Sequence, residues 1–576
     1  MTVRRLIGME TEYGIHAPNN PRASHVALSI ELVNAYAAHA TESGSSVAGT
    51  EWDYQSESPL VDARGWVLPR SAAHPSQLTD SSDALAYAAE QEAGAGDVRD
   101  ALGNIPGGDP SPADAAEREG RAGSPAPGSP HWRGDFFQLR DGQPQLLMNL
   151  VLANGARFYV DHAHPEYSAP EAIGAKRAVL YDVAGDRIAC DAARRLSQEE
   201  GAPQVLLYKN NTDNKSVSYG AHENYLVPRS TDFDDIVDGL LPFFVTRQIL
   251  CGAGRLGIGQ QGQTSGYQIS QRADFFEENV GLETTVRRPI INTRDEPHAH
   301  YDTWRRLHVI IGDSNMSEYS AWMRVGTTAL VLDLIESGSA PDIRLADPVA
   351  ALKRISHDTS LTAAVHTDRG ELTALQIQRL YLEAAKERAG QESAAELAQA
   401  APDTETAEVL DAWEQLLTDL EADVSSAADR VDWVAKLQLI ESYRRRDGLA
   451  WDAPRLGLID LQYHDLREEK GLYYKLVRAG RMRRLFTDDQ LAWAAAHPPE
   501  ETRAWLRGTL VSDYAHLVAG VSWDQVLLRE SSGSRLVRIP LASPHAASRA
   551  EAEEVLRAAP DDAAVIEALE GLAGGS

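Results

Sequence analysis

The chain is 576 residues long with 43% hydrophobic residues, ample for globular folding and long for one core, so a large domain followed by a smaller one is expected. Its 55 basic and 85 acidic residues give a formal net charge of −30, which opposes nonspecific attraction to nucleic acid and anionic membranes and excludes both as expected partners. Two cysteines, Cys190 and Cys251, cannot build a disulfide framework or a thiolate metal site and read as buried packing residues.

No early apolar stretch has signal-peptide form, and no run approaches the roughly 20 residues that span a bilayer, so a cytoplasmic protein is expected. The first predicted element is a strand in Arg4–Gly14, where Leu6, Gly8, Glu10 and Glu12 share a face. Two carboxylates side by side repel unless a cation lies between them, although a solvated edge strand gives the same pattern. A helix is expected over Glu31–Ala38. Residues Gly94–Gln143 hold Pro/Gly/Ser-rich runs too poor in apolar residues to bury a core, and read as a disordered insertion.

The segment Asn154–Tyr167 reads as a strand and its exit, with Arg157, Tyr159 and Asp161 on one face and Phe158 and Val160 turned to a core. Pro165 is expected to end the pairing, with Glu166 a second carboxylate within reach. Such an oxygen-rich environment suits Mg²⁺ and nucleotide phosphates; a salt-bridged edge strand is the alternative. A helix over Lys176–Ser197 and strands over Val205–Tyr208 and Glu223–Val227 follow. Gly252–Gly257 imitates a dinucleotide fingerprint without its strand–helix–strand context. Asn292–His298 is a polar loop offering Arg294. Leu307–Gly312 reads as a buried strand containing His308; a histidine there, or His222 in its Gly-Ala-His-Glu-Asn run, is commonly a satisfied core side chain.

Helices are then expected over Ser320–Ile335, Ala374–Ala389 and Glu405–Ala422, the last with a Val409, Trp413, Leu416, Leu417 and Leu420 stripe. From about Asp447, Pro454 and a β-like Leu456–Leu461 announce the second domain, which ends in a weakly ordered Ala/Glu-rich tail. The chain has no Walker loop, so phosphates would be held by metals and arginine.

Met9–Gly14, Asn154–Glu171, Tyr208–Asp213, Tyr219–Tyr225 and Ile290–Asn315 together resemble the Pup ligase/Pup deamidase family over nearly the whole chain. Trp52-Asp53-Tyr54, Ser58-Pro59-Leu60, Asp62-Ala63-Arg64-Gly65 and the spacing in Asp161–Ser168 resemble the deamidase branch. The resemblance implies an α+β, glutamine synthetase-like antiparallel sheet with helices on one face. With the boundary read near Asp447, the expected division is a catalytic domain, residues 1–446, with the deamidase-type loop at 52–65, and a small C-terminal domain, residues 447–576.

By the same resemblance Glu10, Tyr159 and Glu166 fall at Mg²⁺ positions and His222 and His308 where further ligands are expected. Arg157, Ser168, Ala169, Asn224 and Trp523 fall at ATP-contact positions, Ala169 through its backbone only, with a plain core role the alternative for Trp523. Asp161 falls at the catalytic carboxylate. The implied reaction is hydrolysis of the side-chain amide of a C-terminal glutamine on Pup, and of Pup–lysine isopeptide bonds in pupylated proteins, in a bacterial proteasome system. ATP would be bound but not consumed, because amide hydrolysis is downhill. The resemblance also implies that Pup is acidic, and a basic groove for it would draw on Arg272, Arg287, Arg288, Arg294, Arg305 and Arg306. A Pup ligase and a non-catalytic Pup- and ATP-binding regulator are the rivals; the Asp62 loop argues against the first and the intact Arg157/Tyr159/Asp161/Glu166 set against the second.

Overall fold

The computed structural model describes residues 2–20, 22–42, 51–53, 57–69, 148–161, 163–212, 218–391, 404–530 and 535–574. The expected insertion at 94–143 lies outside them, as do Tyr54 and His162. Alternation along Leu6–Glu12 (β1) sets the architecture: Ile7, Met9 and Thr11 are buried on one side, while Gly8 and Glu10 on the other are only half-buried. The same period runs through Asn149–Val151 (β2), Arg157–Asp161 (β3), His164–Ser168 (β4), Ala172–Ile173 (β5), Ala221–Pro228 (β6) and Trp304–Val309 (β7). These form one seven-stranded sheet in the order β7-β6-β1-β4-β3-β2, with β5 continuing beside β1 where β4 stops. Every pairing in it is antiparallel.

One face carries Phe158, Tyr167, Tyr225 and Leu307, all buried, against helices His25–Glu42 (α1), Ala175–Leu196 (α2), Phe233–Cys251 (α3) and Glu318–Glu336 (α4). The helix α2 lies close: a Cβ at Gly185 would overlap the Tyr167 ring, so only glycine fits. Polar pins fix the register between layers. Thr11 donates to Asp182 at 2.8 Å and Tyr13 to Asp186 at 2.9 Å, and the buried Lys209 ammonium bridges both carboxylates at 3.0 and 2.9 Å. Asp182 and Asp186 sit one helical turn apart, which is why one lysine reaches both.

The expected α+β antiparallel fold holds, with three local corrections. Pro165 does not end a strand; Asn154–Tyr167 spans a β-hairpin in which Val160 pairs with Pro165 and Asp161 with His164. Val160 N–H turns away to the Met148 carbonyl and the Pro165 carbonyl accepts from Tyr13, so the N–H that proline lacks is not needed between β3 and β4. Leu456–Leu461 is not β-like but lies in helix Pro454–Tyr463, with Pro454 in the first turn and Leu456, Ile459 and Tyr463 buried at helical spacing. The Ala/Glu-rich tail forms helices Arg549–Ala558 and Asp562–Gly574, which bury Leu556, Val565, Ile566 and Leu569.

The Gly252–Gly257 run leads into the hairpin of Arg255–Ile258 with Thr264–Gln268, so it is no dinucleotide site. Cys251 is buried, whereas Cys190 is only half-buried. The C-terminal region contributes a four-stranded sheet in which Glu51–Trp52 runs parallel to Val518–Val521. The loop at 52–65 therefore starts as a strand of the C-terminal layer. Among the described residues no helix is long and apolar enough to cross a membrane.

Candidate active site

Antiparallel register gathers the polar residues on the face opposite the helices. Glu10 pairs with His222 on β6 and Ser168 on β4, and Glu12 pairs with Glu166. Tyr159 lies opposite Glu166, Arg157 opposite Ser168, and Asn224 opposite His308. Directly paired residues project to the same side, so these registers place Glu10, Arg157, Tyr159, Asp161, Glu166, Ser168, His222, Asn224 and His308 on one face.

Within that face the acids and histidines form two clusters. In the first, ligand atoms of Glu12, Asp161 and Glu166 all lie within 4.8 Å of one another. Burial, then the negative charges of Asp161, Glu12 and Glu10, push the Glu166 carboxyl well above its ordinary value. Crowded carboxylates of this kind match a hard divalent cation such as Mg²⁺, which would take away the repulsion. The Gly220 N–H donates to Glu12 Oε1 at 2.8 Å, and a Cβ at position 220 would stand 2.6 Å from that oxygen, so a side chain there would displace the Glu12 carboxylate and the His222 ring. The His164 ring stacks on Tyr219 with centroids 4.4 Å apart and its Nδ1 lies 3.8 Å from Glu12 Oε2.

The second cluster is Glu10, His222 and His308, again within 4.8 Å. His222 Nδ1 is 3.1 Å from Glu10 Oε2 and Asn224 donates to Glu10 Oε1 at 2.8 Å. The carbonyl oxygen of Asn224 faces His308 Nδ1 at 2.9 Å and accepts from Arg306 at 2.8 Å. Burial raises the Glu10 carboxyl, but the His222 hydrogen bond and the nearby Arg306 cation help to outweigh it and hold the group well below its usual range. Burial and Arg306 keep His308 far below its ordinary value. It is therefore neutral at pH 7, the form in which an imidazole ligates a metal.

The expected metal positions are thus split, with Glu166 in one cluster and Glu10, His222 and His308 in the other. Tyr159 belongs to neither set of acid and histidine ligands. Burial and the nearby Glu166 charge raise its phenol well above the ordinary value, so it is protonated and hydrogen-bonds Glu166. Ser168 Oγ is 3.4 Å from its hydroxyl and the Arg157 guanidinium lies 4.0 Å from its ring centroid. Glu12, absent from the ligands that the resemblance implies, was marked by the strand pattern alone, though it joins Asp161 and Glu166 and does not share a cation site with Glu10. Its signal was the alternation that places it beside Glu10.

A cleft beside the second cluster is lined by Ser168, Ala169, Asn224 and Trp523 together with Glu10, Arg306 and Arg503. Four of the expected nucleotide contacts thereby meet at one place. The Ala169 N–H is already bonded to the Met9 carbonyl at 2.8 Å, so only its carbonyl is left to a ligand. Arg157 does not line the cleft but stands 4.0 Å from the Trp52 ring, which packs edge-on against Trp523 at 5.2 Å. Trp523 is partly buried rather than a plain core aromatic. Glu171, between β4 and β5, also lines the cleft and takes Arg503 at 2.7 Å and Arg507.

The loop at 52–65 reaches the same region. Trp52 Nε1 donates to Glu57 at 2.7 Å, Glu57 lies 3.7 Å from Arg157, and the Ser58 N–H bonds Glu296, which pairs with Arg306 at 3.2 Å. Asp62 is buried and accepts from Thr293 at 2.7 Å and Arg64 at 2.7 Å. The six arginines expected to form an open basic groove do not: Arg272, Arg288 and Arg305 are buried, Arg294 is half-buried, Arg306 is committed to Glu296 and Asn224, and Arg287 is strongly exposed and pairs with Glu278.

Comparison with known proteins follows this geometry. The Pup-ligase protein family matches residues 5–527. The chain is 43% identical over 99% of its length to the depupylase of Acidothermus cellulolyticus, covering all of that protein. It is 42% identical over 98% of its length to the Pup deamidase/depupylase of Mycobacterium tuberculosis, covering 99% of it. The Pup–protein ligase of Arthrobacter sp. is 43% identical over 66% of this chain and 84% of the ligase. Among solved structures, the complex of Pup with its ligase PafA has a TM-score of 0.69 at 29% identity, covering 100% of this chain and 93% of that one. PafA in complex with ADP has a TM-score of 0.64 at 36% identity, covering 74% and 91%. With its fold, its acidic face and these relatives in agreement, the chain belongs to the Pup-ligase protein family.

Proposed function

We propose that the protein is a Pup deamidase and depupylase: it hydrolyses the side-chain amide of a C-terminal glutamine on Pup to glutamate, and the isopeptide bond between Pup and a substrate lysine. The observation that carries this reading is Asp161 held among Glu12 and Glu166 on the sheet face, next to a cleft lined by Ser168, Asn224 and Trp523. Full-length likeness to depupylases supports the same choice over ligation.

The chemistry is carbonyl substitution: a C–O bond forms at the amide carbon, the C–N bond breaks, and ammonia or the lysine amine leaves with the proton it gains. As the nucleophile, Asp161 would form an acyl anhydride that water then hydrolyses in a second substitution; as the base, it takes the proton of the water that attacks directly. Glu12 and Glu166 would hold a divalent cation on one side of it, and Glu10, His222 and His308 a second one. Ser168, Ala169, Asn224 and Trp523 would hold ATP in the cleft, with Arg157 set beyond them against Trp52, and the solved complex of PafA with ADP supports nucleotide binding. A divalent cation held there would offset the crowded carboxylates and the phosphate charge and supply Lewis-acid polarisation of a carbonyl. Tyr159, kept protonated, donates to Glu166 and orients it. The proposed setting is the cytoplasm, with Pup and pupylated proteins as partners.

Incubation with Mg²⁺, ATP and glutamine-ended Pup, read by intact mass, tests the reading: the mass of Pup rises by the replacement of NH₂ with OH. Unchanged Pup, or Pup joined to lysine side chains with ATP consumed, would contradict it.

A further inference from the structure

Among the described residues, most buried arginines face a carboxylate. Arg247 straddles Glu223 with two contacts of 2.9 Å, and Arg503 and Arg507 share Glu171. Arg272 and Arg288 do not. They are 1% and 9% exposed, and among the described residues neither has a carboxylate at ion-pair distance. Arg272 spends Nε on Ser218 Oγ at 3.2 Å and Nη1 on the Ile310 and Gly312 carbonyls, while Arg288 spends Nε on the Thr284 carbonyl at 2.9 Å and Nη2 on the Ser218 carbonyl at 2.7 Å. Arg272 Nη2 and Arg288 Nη1 make no hydrogen bond to a described residue.

Two guanidinium groups meeting at one serine are costly to bury. Desolvation and then the neighbouring Arg288 charge push Arg272 down to about 9; desolvation likewise lowers Arg288, with the Glu12 charge the leading opposing effect. The cationic pair adjoins the acidic cluster: Ser218 lies two residues before Gly220, whose N–H holds Glu12, and Ile310 follows the strand that carries His308. An oxyanion entering there would take charge-assisted hydrogen bonds from Arg272 Nη2 and Arg288 Nη1, which bond no described residue.

Resting on the deamidase reading, we propose that Arg272 and Arg288 bind the α-carboxylate of the substrate's C-terminal residue and so select a chain-terminal glutamine over an internal one. The α-carboxylate stands at the opposite end of that residue from the amide that Asp161 must reach, and an internal glutamine lacks it. The arginines thereby register the scissile carbonyl against the acidic cluster, as positioning groups.

The experiment compares two Pup peptides, one ending in a free carboxylate and one in a carboxamide, with the full chain and with Arg288→Gln, Arg272→Gln and the milder Arg272→Lys. Wild type should turn over the carboxamide peptide with kcat/KM at least about 100-fold lower, since a site built to bond a polar group rejects an analogue lacking it. The glutamine variants should narrow that ratio to within about tenfold, the lysine variant keeping part of it. Phosphate is the competing oxyanion, so the Kd values for inorganic phosphate and ATP are measured in the same variants and should be unchanged. Equal use of both peptides by wild type would overturn the proposal while leaving the deamidase reading intact. Undiminished discrimination in the variants, or weakened phosphate binding with discrimination retained, would overturn it too. Failure of wild type on the free-carboxylate peptide would remove the deamidase reading and the proposal with it.

Discussion

Asp161 and Glu166 sit on paired strands a few ångströms apart, yet the account gives them different work. Asp161 is next to the hairpin turn, where a substrate can approach, whereas Glu166 is 2% exposed and hydrogen-bonded by Tyr159. Asp161→Asn keeps size and removes the reactive charge; it should reduce hydrolysis to background while leaving nucleotide affinity within about threefold of wild type, a change typical of no lost contact. Substantial residual turnover would remove Asp161 from its role. Glu12→Ala and Glu10→Ala each delete a carboxylate from one cluster and should weaken Mg²⁺-dependent nucleotide binding at least about tenfold, by loss of charge compensation. Titration of nucleotide with and without Mg²⁺ measures this, and equal affinities in all three proteins would misplace the metal sites. A single-turnover reaction in ¹⁸O-water tests for the covalent role: label entering the aspartate side chain marks an anhydride opened by water at the aspartyl carbonyl.

At the scale of elements, the break between β4 and β5 is where the sheet hands its cleft to the C-terminal region. Burial would raise the Glu171 carboxyl, but Arg507 and Arg503 outweigh it and hold the group at about 2, from an ordinary 4.5. A carboxyl lowered in the folded chain adds stability that is fully present above its unfolded value and is lost as pH falls through the folded one. Wild type should therefore lose stability between pH 4.5 and about 2 partly through Glu171, and Glu171→Gln should flatten that slope. At pH 7 the same variant leaves two buried cations unpaired and should cost about 3–5 kcal/mol, read from urea midpoints.

Much of this arrangement was legible in alternation. Glu10 with Glu12, Arg157 with Tyr159 and Asp161, and the apolar partners between them place themselves on opposite faces with no structure in hand. What alternation lacks is register. Whether Pro165 breaks or continues a pairing depends on which way its missing N–H would point, and that belongs to the partner strand. The helix at Leu456–Leu461 looks β-like because its apolar residues also fit a short strand; Tyr463, one turn beyond, decides for the helical period. Burial of Arg272, Arg288 and Arg305 was equally unreadable, since charge counts do not tell which arginines the fold encloses.

For the whole molecule, the buried apolar cluster runs unbroken from Val3 to Leu569, and Trp523 and Arg503 complete the cleft that β1, β4 and β6 begin. A division at 446/447 is therefore expected to separate the cleft's two walls. The fragment 1–446, expressed alone, should show no measurable ATP binding, and wild-type affinity in that fragment would return the nucleotide site to the sheet alone. Trp523→Ala in the full chain should weaken ATP about tenfold or more, in keeping with loss of an aromatic contact of 1–3 kcal/mol, without shifting the thermal midpoint as a core deletion would.

The claim on which the rest depends is amide hydrolysis at the end of Pup, and intact-mass analysis of glutamine-ended Pup incubated with the full chain, ATP and Mg²⁺ measures it directly. Conversion to the glutamate form, with ATP not stoichiometrically consumed and with Pup released from a pupylated protein in the parallel reaction, is the predicted result. Pup that keeps its amide, or that becomes joined to lysines as ATP is spent, would contradict it.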